Sequence, residues 1–273
     1  MHQRGLTRHI WATQKKGINS NDTDFLCHSV RGEAARWGFI ESILGDVGEG
    51  PIILFQSPNQ GCSLPHILIT AGFHGEEPAG SWGILEFLEQ GSPDLFDKVS
   101  ISLIPWVNLA GLSKGHRFNF AGENPNRGYF WEADTAPSKE GAVLLHHSER
   151  LKDAAKDGVL CCHEDSFSNS AYAYTFEEGN EPGTFSKSLR DELGRFFNIS
   201  TASSIDNCSC TEGIIYNHFD TSFESWMVSS GSRVGACTET PALAPFHVRV
   251  NANHYVMGAF IAAILEHSAA ELS

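Results

Sequence analysis

Ile67-Leu68-Ile69-Thr70-Ala71-Gly72-Phe73-His74-Gly75-Glu76-Glu77-Pro78-Ala79-Gly80 runs from a short apolar segment into a glycine-rich turn carrying a histidine and, three residues on, a glutamate. The β-branched run predicts a buried strand. Imidazole and carboxylate are two of the ligand types zinc accepts, and a His₂Glu set with an open fourth position is a catalytic arrangement. A second histidine delivered from elsewhere in the chain would make this a metal-dependent hydrolase.

Outward from that stretch, strands and helices alternate. Helices are expected over 21–37, 77–90, 138–156, 190–197 and 250–266, and strands over 52–55, 67–71, 101–107, 158–162 and 233–237. The pattern predicts an α/β fold, a single domain with a mixed, mostly parallel sheet flanked by helices. One domain covers residues 1–273, with 1–50 as an N-terminal extension. The segment from Asn108 to Pro137 lacks periodicity, and aperiodic segments of that length in compact domains are usually functional.

The formal net charge of −14 argues against nucleic acid and anionic membrane surfaces as partners. No run of about 18 apolar residues is present, so no membrane span is expected. The N-terminal residues Met1 to Ile10 carry basic groups with no apolar core behind them, so no secretory signal is read and a cytoplasmic location is expected. Seven cysteines (Cys27, Cys62, Cys161, Cys162, Cys208, Cys210, Cys237) make an odd count in a long chain, which disfavours a disulfide framework. Cys161 and Cys162 read as small core residues. Cys208-Ser209-Cys210 has a ligand-like spacing but no second pair to complete a site.

Four expected strand ends deliver polar residues: His74 and Glu77, the loop with Arg117, Asn126 and Arg127, then His163, then Glu239. In open α/β sheets ligands bind outside the carboxyl ends of strands. The order His74-Gly75-Glu76-Glu77, Asn126-Arg127, lone His163 and late Glu239 resembles the zinc metallocarboxypeptidases. The spacing of Arg117 and Arg127 and the stretch Thr238-Glu239-Thr240-Pro241 are similar to the compact bacterial type, the murein peptide amidases. The likeness runs from about Ile67 to the C-terminus. Departures are Asn124-Pro125 before Asn126-Arg127 and Leu109-Ala110 after Asn108.

The resemblance implies a carboxypeptidase-like fold and a role for each residue. His74, Glu77 and His163 would hold one Zn²⁺. Glu239 would be the general base and acid, and Arg117 would stabilise the oxyanion. Asn126 and Arg127 would grip a substrate carboxylate, which the planar arginine fork matches. Tyr216 would contact substrate, and Glu224, in Ser222-Phe223-Glu224-Ser225-Trp226, would lie in the pocket for the terminal side chain. The implied partner is a small peptide or acyl-amino-acid substrate with a free carboxylate.

Plainer readings stand beside these. His163 alone is a satisfied polar strand end, Arg117 a surface partner of Glu123, Tyr216 an exposed loop aromatic and Glu224 a solvated helix start. Glu76 competes with Glu77 by register. Glu164 and Asp165 read as partners of the ligands, a weak second metal site or a solvated acidic turn. Among functions, an aspartoacylase-like deacylase of N-acyl amino acids shares the His-x-x-Glu zinc site with the succinylglutamate desuccinylase–aspartoacylase relatives. It is disfavoured by the short stretch after Glu239. A binding module with a decayed site is disfavoured by the full ligand set, and a cysteine hydrolase by the in-strand position of Cys161 and Cys162. No Gly-x-Ser-x-Gly, His-Glu-x-x-His or phosphate-binding glycine loop occurs.

Overall fold

The apolar run at Ile67–Ala71 lies in the middle of an eight-stranded sheet in the computed structural model, which describes residues 19–48, 50–60, 63–130 and 135–271. Cys62 and the N-terminal stretch read for a signal lie outside them. The strands are β1 (Ile40–Asp46), β2 (Pro51–Gln56), β3 (His66–Ala71), β4 (Ser100–Ile104), β5 (Gly158–Asp165), β6 (Tyr172–Phe176), the hairpin β7 (Ser204–Ile205) and β8 (Cys208–Ser209), β9 (Ile214–Tyr216) and β10 (Gly235–Pro241). The main sheet runs β1-β2-β4-β3-β5-β10-β6-β9. Its centre, β4-β3-β5-β10, is parallel, and β1, β2 and β6 join antiparallel. Parallel strands covered on both faces read as continuous apolar runs, and every residue of β3 and β4 is buried.

The helices are α1 (Thr23–Arg36), α2 (Pro78–Glu89), α3 (Pro93–Phe96), α4 (Leu109–Lys114), α5 (Lys139–His146), α6 (Ser148–Ala154), α7 (Thr184–Gly194), α8 (Phe223–Ser229) and α9 (Phe246–Glu271). They cover both sheet faces. Leu26 and Val30 of α1, Trp82 and Leu85 of α2, Leu189 of α7 and Phe260 of α9 share one core with Ile67 and Ile69. Leu144 of α5, Leu151 of α6 and Met227 of α8 share the other with Leu68 and Val159. Helix α2 is buried on all sides, as a helix apolar around its circumference must be. This is the expected single-domain α/β fold with a mixed, mostly parallel sheet.

Three details differ from the periodicity reading. The expected helix 138–156 is two helices, because His147 leaves helical geometry and its Nε2 donates to the Leu44 carbonyl at 2.7 Å. Strands β1, β6 and β9 sit toward the sheet margins, where polar residues dilute the apolar signal. Within the aperiodic segment, Asn108 caps the short helix α4 by accepting from Gly111 N–H at 2.8 Å. No helix is long and apolar enough to cross a membrane among the described residues.

His254, on α9 against Phe87 of α2, has a buried Nδ1 with no hydrogen-bond partner among the described residues. Burial pulls its pKa down from 6.5 to about 4. Below pH 6.5 the unfolded chain therefore takes up a proton that the folded chain refuses. The contribution of this group to stability is complete above that pH and falls between 6.5 and 4, by on the order of 3–4 kcal/mol at about 1.4 per pKa unit. Urea midpoints for the parent should drop between pH 7 and 5, and those of His254→Leu should drop less. Equal slopes would show that another group governs the acid limb.

Candidate active site

The stretch from Gly72 to Glu77 begins where β3 ends. Gly72 turns the chain at φ 66°, and a Cβ there would meet Ser81 Oγ at 2.9 Å and the Trp106 Cα at 3.1 Å. Gly75 approaches α4 so closely that a Cβ would lie 2.0 Å from the Gly111 carbonyl carbon. Its N–H donates to the His116 carbonyl at 2.9 Å. Clasped this way, the loop turns His74 inward and makes Glu77 the N-cap residue of α2, with Pro78 opening the helix, a position that suits proline. His74 and Glu77 are 3% and 2% exposed. His163, 2% exposed, comes from β5 beside them.

His74 Nδ1 lies 2.8 Å from Glu77 Oε1, and His163 Nδ1 lies 2.7 Å from Glu77 Oε2. The three donor atoms fall within 4.8 Å of one another, the only such group of three or more His, Cys, Asp or Glu among the described residues. Asn124 Oδ1 accepts from His74 Nε2–H at 3.0 Å. That bond assigns the proton of a neutral His74 to Nε2 and leaves the Nδ1 lone pair facing a carboxylate oxygen. Two acceptors at 2.8 Å need a cation between them, a proton or a metal ion. The electrostatics agree. Burial works against charge on Glu77, yet the two imidazoles outweigh it and hold the carboxyl well below its usual range. Burial likewise disfavours His163⁺, but the Glu77 carboxylate raises that pKa to about 9. Two imidazoles and a carboxylate, desolvated and converging, are a donor set that fits Zn²⁺.

Glu239 stands next to His163, because β10 pairs with β5 in parallel with Glu239 opposite His163. Burial, then the Glu77 carboxylate, push its pKa well above the ordinary carboxylate value. Arg117 NH1 donates to Glu76 Oε1 and to Glu77 Oε1, both at 3.0 Å, with its side chain 43% exposed. Its partners are these two rather than Glu123, which instead accepts from Asn119. Glu76, Glu77, Arg117 and Glu239 line one cavity of about 330 Å³, whose far wall includes Phe167, Tyr172 and Asp206.

Asn126 is buried beside the site. Its Oδ1 accepts from Phe223 N–H at 2.9 Å, and its Nδ2 lies 3.4 Å from His163 Nε2 and donates to Glu224 Oε2 at 3.3 Å. Glu224 is 6% exposed, in the first turn of α8, and no lysine or arginine ion-pairs with it among the described residues. The capping is done by Ser222, whose side chain accepts from Ser225 N–H. Arg127 is half-exposed and lies 3.4 Å from Asp220 Oδ2. The Tyr216 hydroxyl, on β9, donates to the Glu177 carbonyl at 3.1 Å and is not in the wall of the site cavity.

Sequence reasoning missed two neighbours. Tyr172 lines the cavity from β6 and donates to Asp165 Oδ2 at 2.9 Å. Asn124 fixes the His74 tautomer, although its position in the chain marked only a departure from the family pattern. A signal existed for Asn124 in its nearness to Asn126, but none for Tyr172, which reaches the site only by sheet pairing. Glu164 is buried, so the solvated acidic turn is excluded there; Asp165 accepts from Phe167 N–H at 2.7 Å.

No protein-family model matches the chain, and no curated protein does. Solved structures do. A provisionally assigned metallopeptidase from Shewanella baltica OS155 is 50% identical, with 90% of this chain and 93% of that one covered and a TM-score of 0.87. Another, from Shewanella amazonensis SB2B, is 46% identical over 93% and 97%, with a TM-score of 0.89. A metallo-carboxypeptidase from Burkholderia cenocepacia, at 16% identity and a TM-score of 0.64 over 88% and 68%, shares the fold. Fold and site together thus define a metallopeptidase with the architecture of the zinc metallocarboxypeptidases. The chain belongs to the same metallopeptidase family as the Shewanella proteins.

Proposed function

We propose that this protein is a zinc-dependent hydrolase that cleaves the C-terminal amide bond of a small peptide with a free carboxylate. The observation that carries the reading is the convergence of His74, Glu77 and His163, buried and aimed at one point, with Glu239 opposite His163 on the neighbouring strand. Zn²⁺ held by those three residues would supply Lewis-acid polarisation of the scissile carbonyl and a lowered water pKa of about 7.

The protein's own groups supply the rest. Glu239 accepts a proton from the attacking water and returns it to the leaving nitrogen. Burial and the Glu77 carboxylate raise its pKa, which favours the protonated form that hands the proton on to the leaving nitrogen. Arg117 gives a fixed positive charge at the cavity for the developing oxyanion, held by Glu76. Asn126 and Arg127 receive the substrate carboxylate, Arg127 exchanging its Asp220 contact for it. Tyr216 joins only if its hydroxyl leaves the Glu177 carbonyl. Metal analysis of the purified protein, followed by a comparison of peptides bearing free carboxyl termini with N-acyl amino acids, tests the reading. Hydrolysis of N-acyl amino acids with no peptide cleavage would establish the deacylase instead.

The buried Glu224 carboxylate sets a preference. An unpaired charge in that setting is costly, and a substrate ending in lysine, arginine or another amino-bearing residue supplies the missing cation. The parent should prefer peptides ending in lysine over matched peptides ending in leucine. Glu224→Gln should reduce that ratio by about 10- to 100-fold, the scale of one charge-assisted hydrogen bond. An unchanged ratio would remove Glu224 from the pocket.

A further inference from the structure

Glu164 follows His163 in β5, so its side chain leaves the opposite face of the strand, and it forms part of the wall of the site cavity beside Glu77 and Glu239. Its backbone N–H donates to Glu77 Oε2 at 3.2 Å. Its side-chain Oε1 accepts from the N–H of Ala79 at 2.7 Å. Ala79 lies in the first turn of α2, two residues after Glu77. The two segments therefore hold each other reciprocally. The main chain of β5 orients the carboxylate of Glu77, and the side chain of Glu164 pins the helix start from which Glu77 projects.

The far end of Glu164 is anchored as well. Oε2 pairs with Arg249 in the first turn of α9 and lies 3.5 Å from Thr240 Oγ1, the β10 residue after Glu239. Arg249 Nε in turn donates to the Ala244 carbonyl at 2.9 Å, in the turn that leaves β10. Glu164 is 2% exposed. A buried carboxylate at a helix N-terminus with a guanidinium partner has its charge compensated at both oxygens. One side chain thus joins the three segments that carry Glu77, His163 and Glu239.

Resting on the metallohydrolase reading above, we propose that Glu164 is a positioning residue. Through Ala79 N–H and Arg249 it holds the start of α2 against β5 and β10, and so sets the Glu77 carboxylate in register with the His163 imidazole. It binds neither metal nor substrate. Groups that orient metal ligands without touching the metal typically affect affinity by about 10- to 100-fold.

The test uses the full chain loaded with zinc. Glu164→Asp keeps the charge but shortens the arm by one methylene, so the Ala79 bond is lost while a pairing with Arg249 remains within reach. The double variant Glu164→Gln with Arg249→Gln removes both charges together, so no unpaired ion is left buried if Glu164→Asp fails to fold. Zinc affinity is read by competition with a chromophoric chelator, alongside kcat, KM and the thermal midpoint. The expected result is zinc binding weaker by about tenfold or more, with kcat reduced and KM nearly unchanged, in whichever variant folds. Parental zinc affinity and kcat beside a lowered thermal midpoint would reduce the contact to a structural one and overturn the proposal. If the parent itself takes up no stoichiometric zinc, the metallohydrolase reading fails and the proposal falls with it. Zinc bound normally by the parent and by the folded variants overturns the positioning role alone.

Discussion

His74→Ala and His163→Ala are each expected to lose stoichiometric zinc and hydrolytic activity together. Structural zinc sites bind with about 10–16 kcal/mol shared among four ligands. One ligand then accounts for roughly 3 kcal/mol, or about 100-fold in affinity. Dialysed variants should therefore hold well under one zinc per chain by elemental analysis, where the parent holds one. The metal-free parent keeps a proton at His163, whose pKa stands at about 9. Zinc binding must displace that proton, so zinc affinity should fall as pH falls below 9. Stoichiometric zinc in both variants would sink the ligand assignment.

Glu239→Gln is expected to separate metal binding from chemistry. Glutamine keeps the shape of the side chain and removes the basic oxygen. Glu239 is not among the three converging donors, so zinc content and fold should be those of the parent. The kcat should fall by about 10²–10⁴-fold, the usual contribution of a general acid–base group, with KM changed little. The substitution also removes a carboxylate whose pKa is driven up by burial and by Glu77. An acidic limb in the parent pH profile that belongs to this group should then disappear. Peptide hydrolysis at the parent rate would mean that another residue moves the proton.

Much of the site was legible in the chain because its chemistry sits at strand ends, and strand ends are marked by a change from apolar to polar residues. His74, Glu77, His163 and Glu239 all follow or close such runs; the structure brings donor atoms of the first three within 4.8 Å of one another and puts Glu77 and Glu239 in the wall of one cavity. Arg117 was legible as a cation in an aperiodic segment, although its choice of Glu76 and Glu77 over Glu123 depends on how that segment folds back. Tyr172 and the hairpin with Asp206 were not legible. They reach the cavity through the antiparallel addition of β6 to β10 and the packing of a two-residue-strand hairpin, and neither leaves a periodic trace.

Local order and residue type were therefore determined by the sequence itself. Apolar runs predicted the central strands, the glycines after Ala71 a turn, and the His-x-x-Glu spacing two candidate ligands. Those properties depend on neighbours a few residues apart, where sterics and hydrophobic burial act without knowledge of the rest of the chain. Only the tertiary structure decided which polar groups are compensated. Register places Glu239 opposite His163, Asn124 sets the tautomer of a histidine 50 positions away, Arg249 neutralises Glu164 across 85, and Glu224 is left buried with no lysine or arginine ion pair among the described residues. Charge compensation in a desolvated site depends on distances of a few ångströms between segments remote in the chain, and folding alone sets those distances.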